Sequence, residues 1–189
     1  RPAHQAAELA TLVERAGGKP WCFPGLTIAG PEDPARLAAT LKAIGQFDIV
    51  IFVSPNAVEK GLTAIGRDRL PPRLKLAAVG KGSARALRHH SGRTPDIFPE
   101  GRYDSEALLA LPAMREVAGL KVLIVRGNGG REVLADTLRQ RGAEVHYAEV
   151  YRRAGPVWPP EELAGLLKAS HIQIVTATSS EALANLVQR

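Results

Sequence analysis

The chain has 189 residues, 45% of them apolar, which excludes a disordered chain and allows one large or two small domains with a sizeable core. A formal net charge of +6 favours an anionic partner, yet aromatic residues are only 5% and never interleave with basic runs, which argues against nucleic acid. Nothing approaches the ~18 uninterrupted apolar residues of a membrane span, and the lone Cys22 excludes an internal disulfide and fits a reducing, cytoplasmic setting.

The chain opens on Arg1-Pro2 without a methionine, so a natural N-terminus upstream is expected. Leu9, Leu12, Val13 and Ala16 recur at helical spacing and Gly17-Gly18 end the pattern, predicting a first helix. A short strand is expected over Pro20 to Phe23, then the extended run LTIA at 26–29 after Pro24-Gly25. Asp33 before Pro34 reads as an N-cap with proline in the first helical position, opening a helix with Leu37, Leu41 and Ile44.

From Asp48 onward β and α patterns alternate. The strands are DIVIFV (48–53), LKLAAV (74–79), DIF (96–98), KVLIV (121–125) and AEVHYAEVY (143–151). Helices are expected from Pro55, from Ser83, over DSEALLALPAMREV and over REVLADTLRQRG. Continuously apolar strands, each followed by a helix, indicate a parallel sheet covered on both faces. A weak repeat aligns Ser54 with Ser179: IVIFVSPNAVEKGL from Ile49 and IVTATSSEALANLV from Ile174 each read as strand, serine, helix. Two similar doubly wound α/β domains explain this better than one large sheet, with PVWPPEE (156–162) as a proline-rich crossing. The chain stops at Arg189 in mid-helix, so further elements of the second domain are expected beyond it.

RGNGGRE (126–132) raises the question of phosphate binding, because a glycine-rich strand-to-helix turn suits it. A dinucleotide fingerprint counted from Gly127 fails at Glu132, and the one counted from Gly80 fails at Arg85; neither loop ends in Gly-Lys-Ser/Thr. What remains is a set of strand-to-helix joints at Ser54, Ser83, Asn128 and Ser179, where free N–H groups and a helix dipole attract carboxylates as readily as phosphates. Taken singly, Ser54 and Ser179 read as helix caps and the glycines as tight turns. Together they mark the carboxyl ends of parallel strands, where ligands of this fold class bind.

The five histidines form no metal-ligand spacing, no Gly-x-Ser-x-Gly elbow is present, and Cys22 has no histidine nearby. No metal site is expected. Tyr151 ends a strand just before Arg152-Arg153 and the crossing, at the expected junction between domains. In a core its hydroxyl needs a partner; at a cleft it is a neutral hydrogen-bond donor.

These pieces resemble the uroporphyrinogen-III synthase family over nearly the whole chain. The matching segments are HQAAELATLVERAGG with Pro24, DIVIFVSPNAV, AAVGKGSARAL, VLIVRGNGGREVLADTLRQRGAEV, EVYRR and TATSSEAL, in that order. The resemblance implies two Rossmann- or flavodoxin-like α/β domains joined by a two-stranded β ladder made of LTIA and EVYRR. One domain would be discontinuous, 1–24 plus 156–189, the other 31–149, with linkers 25–30 and 150–155. The family's last portion, with further ligand-contacting hydroxyl residues, has no counterpart here.

The resemblance also implies a reaction: hydroxymethylbilane, a linear polycarboxylate tetrapyrrole, loses its hydroxyl as water and closes through a spiro intermediate with ring D inverted. No metal or organic cofactor is required, and a monomer is expected. Tyr151 matches the tyrosine thought to assist departure of the hydroxyl. Ser54, Ser83 and Ser179 match carboxylate contacts, with Arg126, Asn128 and Arg131 as further ones. The residues alone leave open a two-domain binding protein that closes on an acidic small molecule without catalysis. A nucleotide- or sugar-phosphate-using enzyme is disfavoured by the glycine spacing.

Overall fold

The structure is a computed structural model of the chain and describes residues 3–66, 69–155, 158–169, 172–177 and 179–187. It divides into two compact units, residues 1–29 with 153–189, and residues 30–152.

In the larger unit, α2 (Pro34–Lys42) opens on Asp33, whose carboxylate accepts the Arg36 N–H at 2.9 Å. The elements that follow are β2 (Ile49–Phe52), α3 (Pro55–Ile65), β3 (Lys75–Ala78), α4 (Lys81–Ser91), α5 (Ser105–Ala110) and α6 (Pro112–Arg115). They are completed by β4 (Lys121–Gly127), α7 (Val133–Gln140) and β5 (Glu144–Ala154), and the boundary between units falls inside β5. In the smaller unit are α1 (Ala3–Arg15), β1 (Thr27–Ala29), α8 (Pro160–Lys168) and α9 (Ser180–Val187).

The described strands are ordered β1-β5-β4-β2-β3, and β3, β2, β4 and β5 run parallel. Within the larger unit β3 lies on one side of β2 and the next strand, β4, on the other. That reversal is the topological switch point of a flavodoxin-like sheet. It falls between the carboxyl ends of β2 and β4, at Ser54 and Gly127.

The alternation of a pleated strand sends Ile49 and Ile51 to one face and Val50 and Phe52 to the other, and all four are buried. The first face packs with Val122 and Ile124 against Leu108, Leu109, Met114, Leu134 and Leu138 from α5, α6 and α7. The second lies under α3, where Gly61 comes so close that a Cβ on it would stand 2.8 Å from Val125 Cγ1. Helices therefore cover both faces of a parallel sheet.

Several local expectations are corrected. Pro20–Phe23 is not a strand: Pro20 and Pro24 carry no N–H for a ladder, and Phe23 instead packs edge-on against Trp158 at 5.2 Å. Trp158 Nε1 in turn donates to the Pro24 carbonyl at 3.0 Å. DIF contributes only a single bridge, Ile97 with Ala77. DSEALLALPAMREV is broken into α5 and α6 because Leu111, preceding Pro112, is extended at φ −66° and ψ 143°. The helix expected from Ser83 begins two residues earlier, capped by Gly80. Residues 174–177 of the repeat carry no strand. Its capping half does recur: Ser54 Oγ accepts from Ala57 N and Ser179 Oγ from Ala182 N, each at 3.1 Å.

Candidate functional site

The residues that meet at the switch point are Ser54, Gly127, Asn128 and Tyr151. Ser54 follows β2 in extended conformation, and its hydroxyl caps α3 through the Ala57 N–H. The other three are brought there by an irregularity between β4 and β5. Register runs evenly from Lys121 opposite Glu144 to Arg126 opposite Glu149, and then Gly127 faces Tyr151. Val150 is the extra residue of this bulge, a device that re-aims the side chain beyond it.

Tyr151 is 3% exposed. Its ring lies directly on β4: a Cβ on Gly127 would stand 2.4 Å from Cε2 and 2.6 Å from Cζ. The Asn128 N–H donates to the Tyr151 carbonyl at 2.9 Å, pinning the backbone at the same point. Neighbouring strands are about 4.8 Å apart, so β2 and β5, on either side of β4, are separated by roughly twice that. Only a long side chain lying flat across β4 spans the gap. Tyr151 does so, and its Oη stands 3.2 Å from Ser54 Oγ.

Arg126 turns the other way. Only 7% exposed, it donates through Nε to the Gly127 carbonyl at 3.2 Å and through Nη1 to Glu132 at 2.9 Å, with Glu149 3.7 Å from Nε. Its guanidinium sits over the Tyr147 ring at 4.5 Å, and the Tyr147 hydroxyl donates to Glu132. Tyr147 and Arg126 hold the Glu132 carboxyl below the usual carboxylate range, the Tyr147 bond being the larger cause. Burial, and then the Glu132 carboxylate, push the Tyr147 phenol up. This network braces the loop from behind. Gly129 and Gly130 take positive φ, 63° and 111°, and α7 starts at Val133, two residues later than the sequence pattern gives.

Arg131 is exposed and pairs with Glu106. Ser83 lies in the first turn of α4 and is 3% exposed. That turn packs on the first turn of α3, for a Cβ on Gly82 would meet Pro55 Cγ at 3.1 Å. Ser179 belongs to the smaller unit and caps α9. The structure thus brings Ser54, Asn128 and Tyr151 into one constellation, sets Ser83 in the adjoining helix start, and turns Arg126 away into its own network.

Two contributors escape a reading of the sequence. Gly127 looks like a turn glycine but is a platform for a ring. Lys81, the first residue of α4, holds its ammonium 4.7 Å over the Tyr103 ring, an exposed cation that no motif announces. Among the described residues no group of His, Cys, Asp and Glu could hold a metal ion, and no helix is long and apolar enough to cross a membrane. A groove of about 420 Å³ in the smaller unit, between α1, α8 and the segment at Ile174, is walled by Leu9, Val13, Trp21, Leu163 and Leu167. Its apolar walls suit no polyanion.

A family model described as uroporphyrinogen-III synthase HemD matches residues 7–189. The chain belongs to the uroporphyrinogen-III synthase family. It is 36% identical to the uroporphyrinogen-III synthase of Escherichia coli (strain K12) over 188 residues, covering 98% of this chain and 76% of that protein. The synthase of Synechococcus elongatus is 30% identical over 193 residues, covering 100% of this chain and 72% of that protein. A crystal structure of mutant uroporphyrinogen III synthase from the extremely thermophilic bacterium Thermus thermophilus superposes with a TM-score of 0.64 at 20% identity, covering 98% of this chain and 73% of that one. That likeness shows the two-domain α/β fold of the uroporphyrinogen-III synthases, which the mostly parallel sheet here shares. Family membership does not favour a receptor without chemistry.

Proposed function

We propose that this chain cyclises hydroxymethylbilane to uroporphyrinogen III with loss of water, as a cyclising hydro-lyase of porphyrin and haem biosynthesis. The observation that carries this reading is the Tyr151 phenol, laid across Gly127 to the switch point of the sheet, in a chain 36% identical to the Escherichia coli synthase.

The chemistry asks little of a classical triad. A linear tetrapyrrole with an activated hydroxymethyl end closes by itself to the symmetric isomer, so the catalyst must hold a flexible polyanion in the conformation that lets ring D attack through its substituted carbon. Fixed donors serve that purpose without reorganising during the reaction. Here they are the N–H groups and hydroxyl at the start of α4, Ser83 among them, together with Asn128, Lys81 and Arg131. Arg126 acts through the loop it braces.

Tyr151 is the proton donor to the departing hydroxyl. A phenol suits this step because its O–H can donate to an oxygen on which negative charge develops. Neither a metal nor an organic cofactor is needed for this balance, and the acting unit is a monomer in the cytoplasm.

The test is to incubate the protein with freshly prepared hydroxymethylbilane and separate the oxidised products by isomer. Isomer III in excess over the uncatalysed background is expected. Isomer I alone overturns the reading.

A further inference from the structure

We infer that Ser54 is a positioning residue for Tyr151 and not a carboxylate contact, an inference that rests on the synthase reading. A serine hydroxyl has one proton to give and two lone pairs to receive with. One lone pair is engaged by the Ala57 N–H at the start of α3, which fixes the Oγ position. Tyr151 Oη lies 3.2 Å away and either oxygen can be the donor.

The two arrangements differ in consequence. If the phenol donates to Ser54, its proton is occupied and the Ser54 proton is free for a ligand. If Ser54 donates to the phenol oxygen, the phenol proton points outward and is available for transfer. A substrate carboxylate on Ser54 would take its only proton and force the first arrangement, disarming Tyr151. The same hydroxyl therefore cannot hold a carboxylate and arm the phenol.

With Ser54 donating, the step balances. The phenol proton passes to the leaving hydroxyl, the carbon–oxygen pair departs with it as water, and the phenolate left behind is stabilised by the Ser54 O–H. The proton released when the last pyrrole regains its aromaticity returns to the phenolate. Gly127 and Ser54 thus act together: the glycine lets the ring lie across β4, and the serine sets where its hydrogen points.

The experiment compares wild type, Ser54→Ala, Ser54→Thr, Tyr151→Phe and the Ser54→Ala/Tyr151→Phe double variant on fresh hydroxymethylbilane, with isomer III formation resolved into kcat and KM. Thermal melting confirms that each variant is folded. Ser54→Thr keeps both the cap and the hydroxyl, so it controls for the lost cap of Ser54→Ala. Expected are a kcat reduced about 10-fold or more in Ser54→Ala with KM within about two-fold, near wild-type kcat in Ser54→Thr, and a double variant no slower than Tyr151→Phe. A raised KM with unchanged kcat, or effects that multiply in the double variant, overturns the inference. If wild type itself makes no isomer III, the synthase reading fails first; if wild type makes it and the pattern above is absent, only the role of Ser54 fails.

Discussion

Tyr151 and Gly127 are packed so closely that no side chain fits between them: a Cβ on Gly127 would overlap the ring at Cε2, Cζ and Cδ2, the last at 3.0 Å. Gly127 is not among the glycines with positive φ, so its backbone would accept alanine. The expected damage of Gly127→Ala is therefore steric. It should cost about 1–3 kcal/mol by overpacking and move the phenol off Ser54, with kcat falling as far as in Tyr151→Phe. Urea unfolding and isomer analysis check both, and the stability cost should vanish in a Tyr151→Ala background, because the two residues are in contact. A penalty that persists without the ring would place the constraint elsewhere.

Tyr151→Phe keeps the ring on Gly127 and removes only the hydroxyl. The lost bond to Ser54 is an ordinary one, about 0.5–1.5 kcal/mol, and Ser54 retains its cap on Ala57. Activity should fall by about 10²-fold or more, the usual contribution of a positioned acid. A wild-type rate in this variant removes Tyr151 from proton transfer, whatever the melting temperature shows.

Much of this architecture is legible in the chain because it is written locally. Asp33-Pro34 and Ser54-Pro55 announce helix starts, and IVIF and VLIV announce strands buried on both faces, so the ends of those strands, and with them the site, can be placed. What cannot be read locally depends on pairing. The bulge that seats Tyr151 opposite Gly127 is a relation between two strands, and nothing in AEVHYAEVY shows that Val150 is the extra residue. For the same reason Arg126 reads as a basic residue at a ligand loop, whereas its partners Glu149 and Tyr147 reach it only after β5 pairs with β4. Pro20–Phe23 has strand composition, but a strand needs a partner ladder that two prolines deny it.

The brace behind the loop should show in the acid limb of stability. Glu132 titrates below its ordinary value in the folded chain because Tyr147 and Arg126 favour its ionised form. Its contribution is thus fully present above the ordinary carboxylate pKa, about 4.3, and is lost as pH falls through the depressed folded value. At the alkaline end the Tyr147 phenol, raised above its ordinary value of about 10, contributes fully below that value and loses its contribution as pH rises through the raised folded one. Glu132→Gln should flatten the acid limb of urea midpoint against pH. Because Glu132 is about half exposed, with a side-chain exposure of 48%, the effect should shrink in high salt. An acid limb identical to wild type would show that the bonds to Tyr147 and Arg126 do not favour the ionised form in solution.

Arg126 and Arg131 flank the same loop and should answer differently to truncation. Arg126 is buried among its partners, so Arg126→Ala should act first on stability and on the order of the loop, with a loss of kcat following from the displaced Gly127 carbonyl. Arg131 has a side chain 69% exposed, and its pair with Glu106 is a surface pair of the kind water and salt loosen, leaving the guanidinium free to exchange that carboxylate for one on the substrate. Arg131→Ala should therefore leave the urea midpoint where it is and raise KM several-fold at unchanged kcat. The increase should narrow as ionic strength rises, because only the wild-type contact is screened. An unaltered KM for Arg131→Ala at low salt would leave the carboxylates to the helix starts and Lys81 alone.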